Sequence, residues 1–287
     1  MSRHLNRAKR HFGTDTRGLL EGGRYALLHT RSMEFDDLRP YVPGDDVRDI
    51  DWKATARSGS VLIKRFVSER HHKILLVADA GRNMTALAAG GEVKCDVAVA
   101  ILGAFGLITA GRADEIGMVY GDARGCAAVR NRRGETHIEA MLDRFYHHVT
   151  SRPDRSDIVS QLRYVAAHYR HPMLVVVVSD EPDVDGRLEE VVGRVAARHE
   201  VLWAMVSDMP PVSGDVDGYD VASGRFVPSG VRLGSRLAAA YRRAEQQRRQ
   251  RLEAFLTGHS IPFAAIGGSD GIRPGLVAMA EVYARAG

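Results

Sequence analysis

From residue 73 to the end of the chain, short apolar runs alternate with segments whose apolar residues recur every three or four positions. Short runs bounded by polar residues indicate buried strands, and the longer spacing indicates amphipathic helices. Strands that alternate with helices form a mostly parallel sheet covered on both faces. The sequence therefore predicts an α/β fold, with strands at 74–79, 115–120, 127–130, 173–179, 201–206 and 262–266.

The longest apolar stretch, residues 97–111, lies within one of the predicted helices. It has 15 residues and is interrupted by Gly103 and Gly106, whereas a helix that crosses a bilayer needs about 20. We therefore expect a core helix that is buried on all sides, and no integral membrane segment.

The residues before position 73 follow a different pattern. Residues 61–70 alternate between apolar and polar side chains, and turn-forming residues cluster at 43–44 and 58–60, which together indicate a small β-rich region. The first 20 residues are polar and basic, as is typical of a poorly ordered terminus. We divide the chain into a basic tail at 1–20, a β-rich extension at 21–72 and an α/β domain at 73–287.

Two of the buried strands end on a carboxylate. Asp79 closes the first strand of the α/β domain, and Asp180 follows the strand at 173–179. Because parallel strands end at the same edge of a sheet, we expect these two side chains to converge in one crevice. Carboxylate oxygens are the ligands that Mg²⁺ prefers in proteins, so the sequence predicts a candidate cation site at this edge.

A dense block of charged residues at 39–57 carries a family resemblance. It reads RPYVPGDDVRDIDWKATAR, and together with the strand that ends at Asp79 it resembles the domain-of-unknown-function 58 family. The resemblance extends over roughly residues 20–285. It implies that the α/β region is a von Willebrand factor A-like domain. It also implies a partnership with MoxR-type AAA+ ATPases, beside which such proteins are often encoded.

The resemblance further implies a metal-ion-dependent adhesion site. In von Willebrand A-type domains this site consists of a D-x-S-x-S motif after the first strand, a Thr after a glycine-containing loop and an Asp after a later strand. The matching positions here are Asp79, Asn83, Thr136 and Asp180. The sequence departs from the motif at both serines, which are replaced by Gly81 and Asn83.

The sequence is therefore compatible with two forms of this site. In one, Mg²⁺ is bound by the oxygen ligands that remain. In the other there is no cofactor: the positive charge of Arg82 replaces that of the metal, and Asp79 and Asp180 cap helices or form ion pairs.

The charged block at 39–57 also allows two interpretations. One is an internal salt-bridge network that fastens the extension to the sheet, with Trp52 as its hydrophobic anchor. The other is a docking surface for a partner protein, since Trp and Arg are enriched at interfaces. The candidate contact residues are Arg39, Tyr41, Asp45, Arg48, Asp51, Trp52 and Arg57.

Net charge and cysteine content bear on the partners and the cellular environment that we expect. The net charge of +4 is small, and arginines concentrate near the N-terminus and at 236–251. Without interleaved aromatic residues, these segments are typical of solvated surface, so we expect no nucleic-acid partner. Cys95 and Cys126 have no metal-type spacing, which favours a reduced, cytoplasmic protein. The pair at 147–148, two histidines, also lacks metal-ligand partners at a matching spacing and is expected on the surface.

Sequence motifs of several enzyme classes are absent: there is no G-x-x-x-x-G-K-[ST] loop, no G-x-G-x-x-G and no H-E-x-x-H. We expect a protein–protein interaction module rather than an enzyme. By the family resemblance, it would be an adaptor between a MoxR-type AAA+ ATPase and a client protein. The alternative is a Mg²⁺-dependent hydrolase of phosphorylated substrates at the same sheet edge, although no nucleophile or base is recognisable beside the two aspartates.

Overall fold

The computed structural model describes residues 3–12, 33–42, 45, 47, 50–68, 73–112, 114–209, 217–229 and 234–286. In these ranges the strands are β1 (Met33–Pro40), β2 (Leu62–Ser68), β3 (Lys73–Asp79), β4 (Glu115–Asp122), β5 (Gly125–Arg132), β6 (Leu174–Ser179), β7 (Glu200–Val206), β8 (Gly218–Tyr219), β9 (Phe226–Val227) and β10 (Phe263–Ile266). The helices are α1 (Arg3–Phe12), α2 (Trp52–Ser58), α3 (Lys94–Arg112), α4 (Glu135–Thr150), α5 (Ile158–His168), α6 (Gly186–Ala196), α7 (Ser235–Gly258) and α8 (Ser269–Ala286). A 3₁₀ turn at Arg82–Thr85 follows β3.

Six strands form the central sheet, in the spatial order β10-β7-β6-β3-β4-β5. Five of them run parallel, and β5 pairs antiparallel with β4 at one edge. Numbered by their appearance in the sheet, the strands follow the doubly wound order 6-5-4-1-2-3. In such sheets the chain changes direction between the first and fourth strands, and ligands bind at that switch point. Here the switch point lies between β3 and β6.

The sheet is covered on both faces because its central strands are apolar on both. In β3, Leu76 and Ala78 belong to a core cluster with residues of α1, α3, α4 and α8. Leu75 and Val77, which point to the opposite face, belong to a cluster with residues of α5, α6 and α7. This alternation follows from the two-residue period of a strand. The predicted α/β architecture is therefore confirmed.

The central helix of one face is α3, and it is buried along nearly its whole length from Lys94 to Thr109. The prediction of a core helix is confirmed. By length and composition, α3 is the one helix among the described residues that could cross a membrane, and 83% of its apolar window is buried inside the fold. Neighbouring helices approach it closely at Gly106, where a Cβ would lie 2.5 Å from the Ile138 Cγ2. That the protein has no integral membrane segment stays a prediction.

The N-terminal segment corrects one prediction. Residues 3–12 were expected to be a poorly ordered tail, but they form α1, whose Leu5 and Ala8 are fully buried. The carboxylate of Glu139 on α4 accepts hydrogen bonds from the backbone N–H groups of His4 (2.7 Å) and Leu5 (2.9 Å), which caps the start of α1. Because basic residues dominate this segment, the helical spacing of its few apolar residues was not recognised from the sequence. Residues 13–20 lie outside the described residues.

The extension contains an antiparallel strand pair and one short helix. β1 pairs with β2 from Met33↔Ser68 to Pro40↔Leu62, which agrees with the predicted β-rich character. The helix α2 begins after Asp51, whose side chain accepts a hydrogen bond from the Ala54 N–H at 3.0 Å. The proposed domain boundary at 20–21 lies outside the described residues, so the division of the chain stays a prediction.

We predict that Leu5→Ala lowers the free energy of unfolding by about 2–5 kcal/mol, the usual cost of emptying a buried leucine site. Urea denaturation of the full chain measures this loss. Asn6→Ala, which changes an exposed residue of the same helix, is the matched control and should change stability little. Equal stability of the two variants would contradict the docked position of α1.

Candidate functional site

The switch point brings together the two carboxylates that end buried strands. Asp79 is the last residue of β3 and Asp180 directly follows β6, while Ala78 pairs with Val178 in the parallel register between these strands. Both side chains are buried, with 1% and 7% of their surfaces exposed. The sequence-based expectation that they meet at one edge of the sheet agrees with this geometry.

A small hydrogen-bond network joins the two carboxylates. Asp79 Oδ1 accepts from the Gly81 N–H at 2.8 Å, and the hydroxyl of Ser156 also bonds to Asp79. Asn83 donates from Nδ2 to Asp180 Oδ2 at 2.6 Å, and its backbone N–H donates to Ser156 Oγ at 3.3 Å. The Asn83 Oδ1 is buried and has no hydrogen-bond partner among the described residues. One oxygen in the network is thus left free.

The carboxylates resist ionising together. Burial raises the pKa of Asp79 to about 7; the charge of Asp180 adds to this, and the hydrogen bonds from Gly81 and Ser156 oppose it. Burial also raises the pKa of Asp180, against the effects of Lys94 and Asn83. Two close carboxylates in a site of low dielectric constant favour one shared proton. A cation placed between the two carboxylates would allow both to ionise without a shared proton.

The buried cation next to this pair is Lys94, which sequence reasoning missed. Lys94 lies in the first turn of α3, is fully buried, and forms an ion pair with Asp208, which follows β7. Arg82, which was expected to supply the compensating charge, is exposed instead. Because Lys94 is engaged by a third carboxylate, it compensates the Asp79–Asp180 pair only in part.

The prediction of Thr136 as a metal ligand is wrong. Thr136 lies in the first turn of α4, and the adjacent His137 Nε2 is 3.0 Å from the carbonyl oxygen of Ile116, at the amino end of β4. Asp79 pairs with Gly121, five residues along the same strand, or about 16 Å away at 3.3 Å per residue. The reason is topological. β5 runs antiparallel, so α4 starts at the opposite edge of the sheet.

Ser156, in the loop between α4 and α5, occupies the place expected for Thr136. It approaches so closely that a Cβ on residue 81 would lie 2.3 Å from the Ser156 Cα. Gly81, which departs from the D-x-S-x-S pattern, therefore leaves room for Ser156. No local pattern in the sequence connects Gly81 with Ser156, which lies 75 positions further along the chain.

An open cleft of about 550 Å³ extends from the pair of aspartates. Among the described residues, nine carboxylates line it: Asp79, Asp157, Asp180, Glu181, Asp183, Asp185, Asp208, Asp220 and Glu245. Three guanidinium groups line it as well: Arg155, Arg187 and Arg248. The cleft is thus strongly acidic, although the whole chain has a net charge of +4. We refer to it below as the acidic cleft.

Two arginines of α7 bind the buried Glu181, and one of them, Arg248, lines the acidic cleft. Arg249 Nη2 donates to Glu181 Oε1 at 2.7 Å, and Arg248 Nη2 donates to Glu181 Oε2 at 3.1 Å. The Glu181 side chain is fully buried by these contacts. The expectation that 236–251 presents only a solvated face is therefore wrong for these two residues, which fasten α7 to the loop after β6.

The residues proposed for partner binding divide into structural and exposed groups. Asp45 accepts from Arg39 at 2.6 Å, Asp51 caps α2, and Arg57 donates to the Lys53 carbonyl oxygen at 3.3 Å. Tyr41 is half-buried, and Arg48 lies outside the described residues.

Trp52 is 68% exposed, so the interpretation of Trp52 as a hydrophobic anchor is wrong. Val42 and Val47 are exposed as well. Among the described residues of the extension, none lines the acidic cleft. The exposed apolar residues Val42, Val47 and Trp52 are called the Trp52 surface below.

A G-x-S-x-G tract at 267–271 follows β10 and also escaped the sequence analysis. Such a tract can present a nucleophilic serine on a strand-to-helix turn. Here the Ser269 backbone N–H and hydroxyl both donate to the Glu92 carboxylate, the N–H at 2.6 Å. This pattern caps the start of α8, and we assign the tract a structural role.

Comparison with known sequences supports the family resemblance. A profile of the family described as "Protein of unknown function DUF58" matches residues 37–251. The uncharacterized proteins Mb1516 of Mycobacterium bovis and MT1527 and Rv1480 of Mycobacterium tuberculosis are each 29% identical to this chain over 190 residues. The match covers 64% of this chain and 58% of each relative, so the chain spans less than two thirds of their length.

Three of the solved structures that resemble this chain share little sequence identity with it. The aerotolerance-related membrane protein of Bacteroides fragilis is 13% identical, with a TM-score of 0.47 over 73% of this chain and 98% of that one. The SpRpn10 von Willebrand A domain is 10% identical, with a TM-score of 0.35 over 47% and 75%. A membrane-spanning protein of Vibrio fischeri is 13% identical, with a TM-score of 0.23 over 71% and 95%. The von Willebrand A-like fold of the present chain rests on its own doubly wound sheet with one antiparallel edge strand, and not on these scores.

The prediction of a cytoplasmic protein is corrected here. Two of these similar structures come from proteins described as an aerotolerance-related membrane protein and a membrane-spanning protein. Cysteine content distinguishes reducing from oxidising surroundings and carries no information about attachment to a membrane. We withdraw the cytoplasmic assignment.

We predict that stability without divalent cations falls as pH rises. A carboxyl whose pKa is raised to about 7 in the folded state stabilises the protein fully below its unfolded value near 4, and that contribution is lost as pH rises to 7. Asp79→Asn, which stays neutral, should therefore be more stable than the wild type at pH 8 by a few kcal/mol at most, at about 1.4 kcal/mol per pKa unit. At pH 4 the two should be similar. Urea denaturation in EDTA measures both, and a difference that does not change with pH would contradict the raised pKa.

Restoring the motif serine should harm the protein. Gly81→Ser places a Cβ against the backbone of Ser156, and we expect a loss of at least about 2 kcal/mol of stability, as for other overpacked sites. Gly111→Ser is the matched control, because a Cβ there meets nothing within 4 Å. If Gly81→Ser were as stable as its control, the close approach of Ser156 would be refuted.

Proposed function

The chain belongs to the DUF58 family of proteins of unknown function, and from that premise we propose that it is a protein-interaction module that serves as an adaptor for a MoxR-type AAA+ ATPase. The observation that supports a binding role most directly is the acidic cleft at the topological switch point. Doubly wound sheets bind their ligands at this place. The ATPase is proposed from the family resemblance.

An adaptor needs two separate contact surfaces, and the chain offers two candidates. The Trp52 surface is apolar, exposed and part of the extension, while the acidic cleft lies at the carboxyl edge of the sheet. We propose that the Trp52 surface contacts the ATPase and that the acidic cleft holds the client protein. An exposed tryptophan is the residue type that most often dominates the energy of an interface.

The residues at the switch point fit a hard divalent cation. Asp79 and Asp180 supply carboxylates, Ser156 supplies a hydroxyl, and Asn83 supplies the buried amide oxygen that has no partner among the described residues. Oxygen ligands of this kind suit Mg²⁺. We propose that these four residues, with Ser156 in place of Thr136, would hold the ion. When bound, it would neutralise the pair and attract a carboxylate of the client.

The alternative predicted from the sequence, a Mg²⁺-dependent hydrolase of phosphorylated substrates, has less support. Among the described residues that line the acidic cleft there is no histidine or cysteine. The hydroxyl of Ser156, which lines the acidic cleft, already bonds to Asp79. The arrangement favours binding over catalysis.

We predict that Trp52→Ala weakens binding to the purified MoxR-type ATPase at least tenfold, the loss typical of an interface tryptophan, without lowering the melting temperature. Biolayer interferometry with the full chain measures the affinity. Tyr219→Ala, which removes an exposed aromatic residue of the β8–β9 hairpin, is the matched control. Unchanged affinity in Trp52→Ala would exclude this surface, and loss of folding would show that Trp52 has a structural role.

We predict that millimolar Mg²⁺ raises the melting temperature of the wild type at pH 8, because an ion that binds only the folded state stabilises it. The increase should vanish in Asp180→Asn and persist in Glu190→Gln, which changes an exposed carboxylate of α6. An equal increase in all three proteins, or none in the wild type, would contradict the proposed cation site.

A further inference from the structure

A second cavity, of about 260 Å³, lies beside the carboxyl end of β4 and the last turns of α4. Its lining is opposite in character to the acidic cleft. Among the described residues, six side chains with hydrogen-bond donors line it: Tyr120, Arg124, Arg144, His147, His148 and Ser151. No carboxylate is among these six, although Asp154 Oδ2 lies 3.8 Å from Arg124 Nε. We refer to this cavity as the basic pocket. The two histidines are the pair that the sequence left without a role.

A buried carboxylate behind the lining fixes two of these side chains. Asp122 is 1% exposed. It accepts hydrogen bonds from Arg124 Nη2 at 2.9 Å and from His148 Nε2 at 3.2 Å, as well as from the backbone N–H groups of Arg124 and Asp154, both at 2.9 Å. Burial acts to raise the pKa of Asp122, but these hydrogen bonds outweigh it and hold the pKa well below its usual range. Arg124 and His148 are thus held in place before any ligand arrives.

Arg144 carries a positive charge that is not used in an ion pair among the described residues. It forms no ion pair with a carboxylate in the part of the chain that the structure describes. Its guanidinium lies close enough to Tyr120 for its charge to oppose the rise in the Tyr120 pKa that burial causes. The Tyr120 ring packs edge-on against the His148 ring, with centroids 5.6 Å apart. Tyrosine, histidine and arginine therefore form one continuous wall.

A purely structural role explains only part of this arrangement. A positive charge near the C-terminus of a helix stabilises the helix, which would account for Arg144 on α4. It does not account for Tyr120 on β4 or for Arg124 in the β4–β5 turn, which close the pocket from the sheet side. Donors from three segments of the chain converge on one small space.

We propose that the basic pocket binds a phosphate group, as a free phosphate, a small phosphomonoester or a phosphorylated residue of a partner protein. A tetrahedral anion with several oxygens can use donors that converge from different sides, as guanidinium groups do in phosphate sites. The cavity is smaller than the range of about 300–1,000 Å³ that is typical of sites for larger ligands. The proposal is independent of the acidic cleft and of the adaptor role.

Isothermal titration calorimetry of the full chain tests the proposal, with sodium phosphate as the probe and sodium chloride at equal ionic strength as the reference. We expect saturable binding of phosphate that weakens at least tenfold in Arg144→Gln and less strongly in Tyr120→Phe. Arg163→Gln, which changes an exposed arginine of α5, is the matched control and should bind as the wild type does. Absence of saturable binding, or equal binding by Arg144→Gln and its control, would overturn the proposal.

Two further probes distinguish the source of the phosphate group. A phosphoserine peptide that binds more tightly than both inorganic phosphate and glycerol phosphate, while its unphosphorylated form does not bind, would identify a phosphorylated protein. Glycerol phosphate or inorganic phosphate binding as tightly as the peptide would identify a small phosphate compound. A peptide that binds equally well with and without its phosphate would count against the pocket as a phosphate site.

Discussion

Two carboxylates buried side by side at the edge of a parallel sheet impose the main electrostatic constraint on this molecule. Asp79 and Asp180 are placed together by β3 and β6, which the fold makes adjacent at its switch point. Burial and mutual repulsion raise the cost of ionising both. The hydrogen bonds from Gly81, Asn83 and Ser156 offset this cost in part. The rest of the cost of ionising both carboxylates must be offset in another way, and that determines the chemistry available at this edge of the sheet.

The cations around this pair of aspartates form two groups, each already paired with another carboxylate. Lys94 is paired with Asp208, and Arg248 and Arg249 are paired with Glu181, so each of these cations is already engaged. The acidic cleft therefore keeps an excess of negative charge, which suits a cation. The basic pocket, beside the carboxyl end of β4, is lined instead by hydrogen-bond donors, among them Arg124 and Arg144. The acidic cleft and the basic pocket are thus lined by side chains of opposite character, and residues between α4 and α5 contribute to both.

The sequence predicts most of the scaffold because apolar periodicity determines it. The runs that became β3 and β6 are apolar on both faces, and the stretch within α3 is too long and too apolar for an exposed helix. The meeting of Asp79 and Asp180 follows from topology alone. The helix α1 was missed because its basic residues outweigh Leu5 and Ala8 in composition, although those two residues anchor it.

The details of the site were harder to predict because they depend on which edge each loop reaches. Thr136 matched the family pattern by spacing, but the antiparallel β5 carries the start of α4 to the far edge. Ser156 and Lys94 reach the site from a loop and a helix start that no local pattern distinguishes from any other polar position. Trp52 was ambiguous for a similar reason, because a tryptophan among charges is equally compatible with an anchor and an exposed contact.

The most direct test of the central claim is a ¹³C NMR titration of the Asp79 and Asp180 carboxyl carbons, first in EDTA and then with Mg²⁺. The account predicts coupled titration in EDTA, with one proton retained up to about pH 7, and a shift of that step to lower pH when Mg²⁺ is added. Two independent titrations near pH 4 that Mg²⁺ leaves unchanged would contradict it.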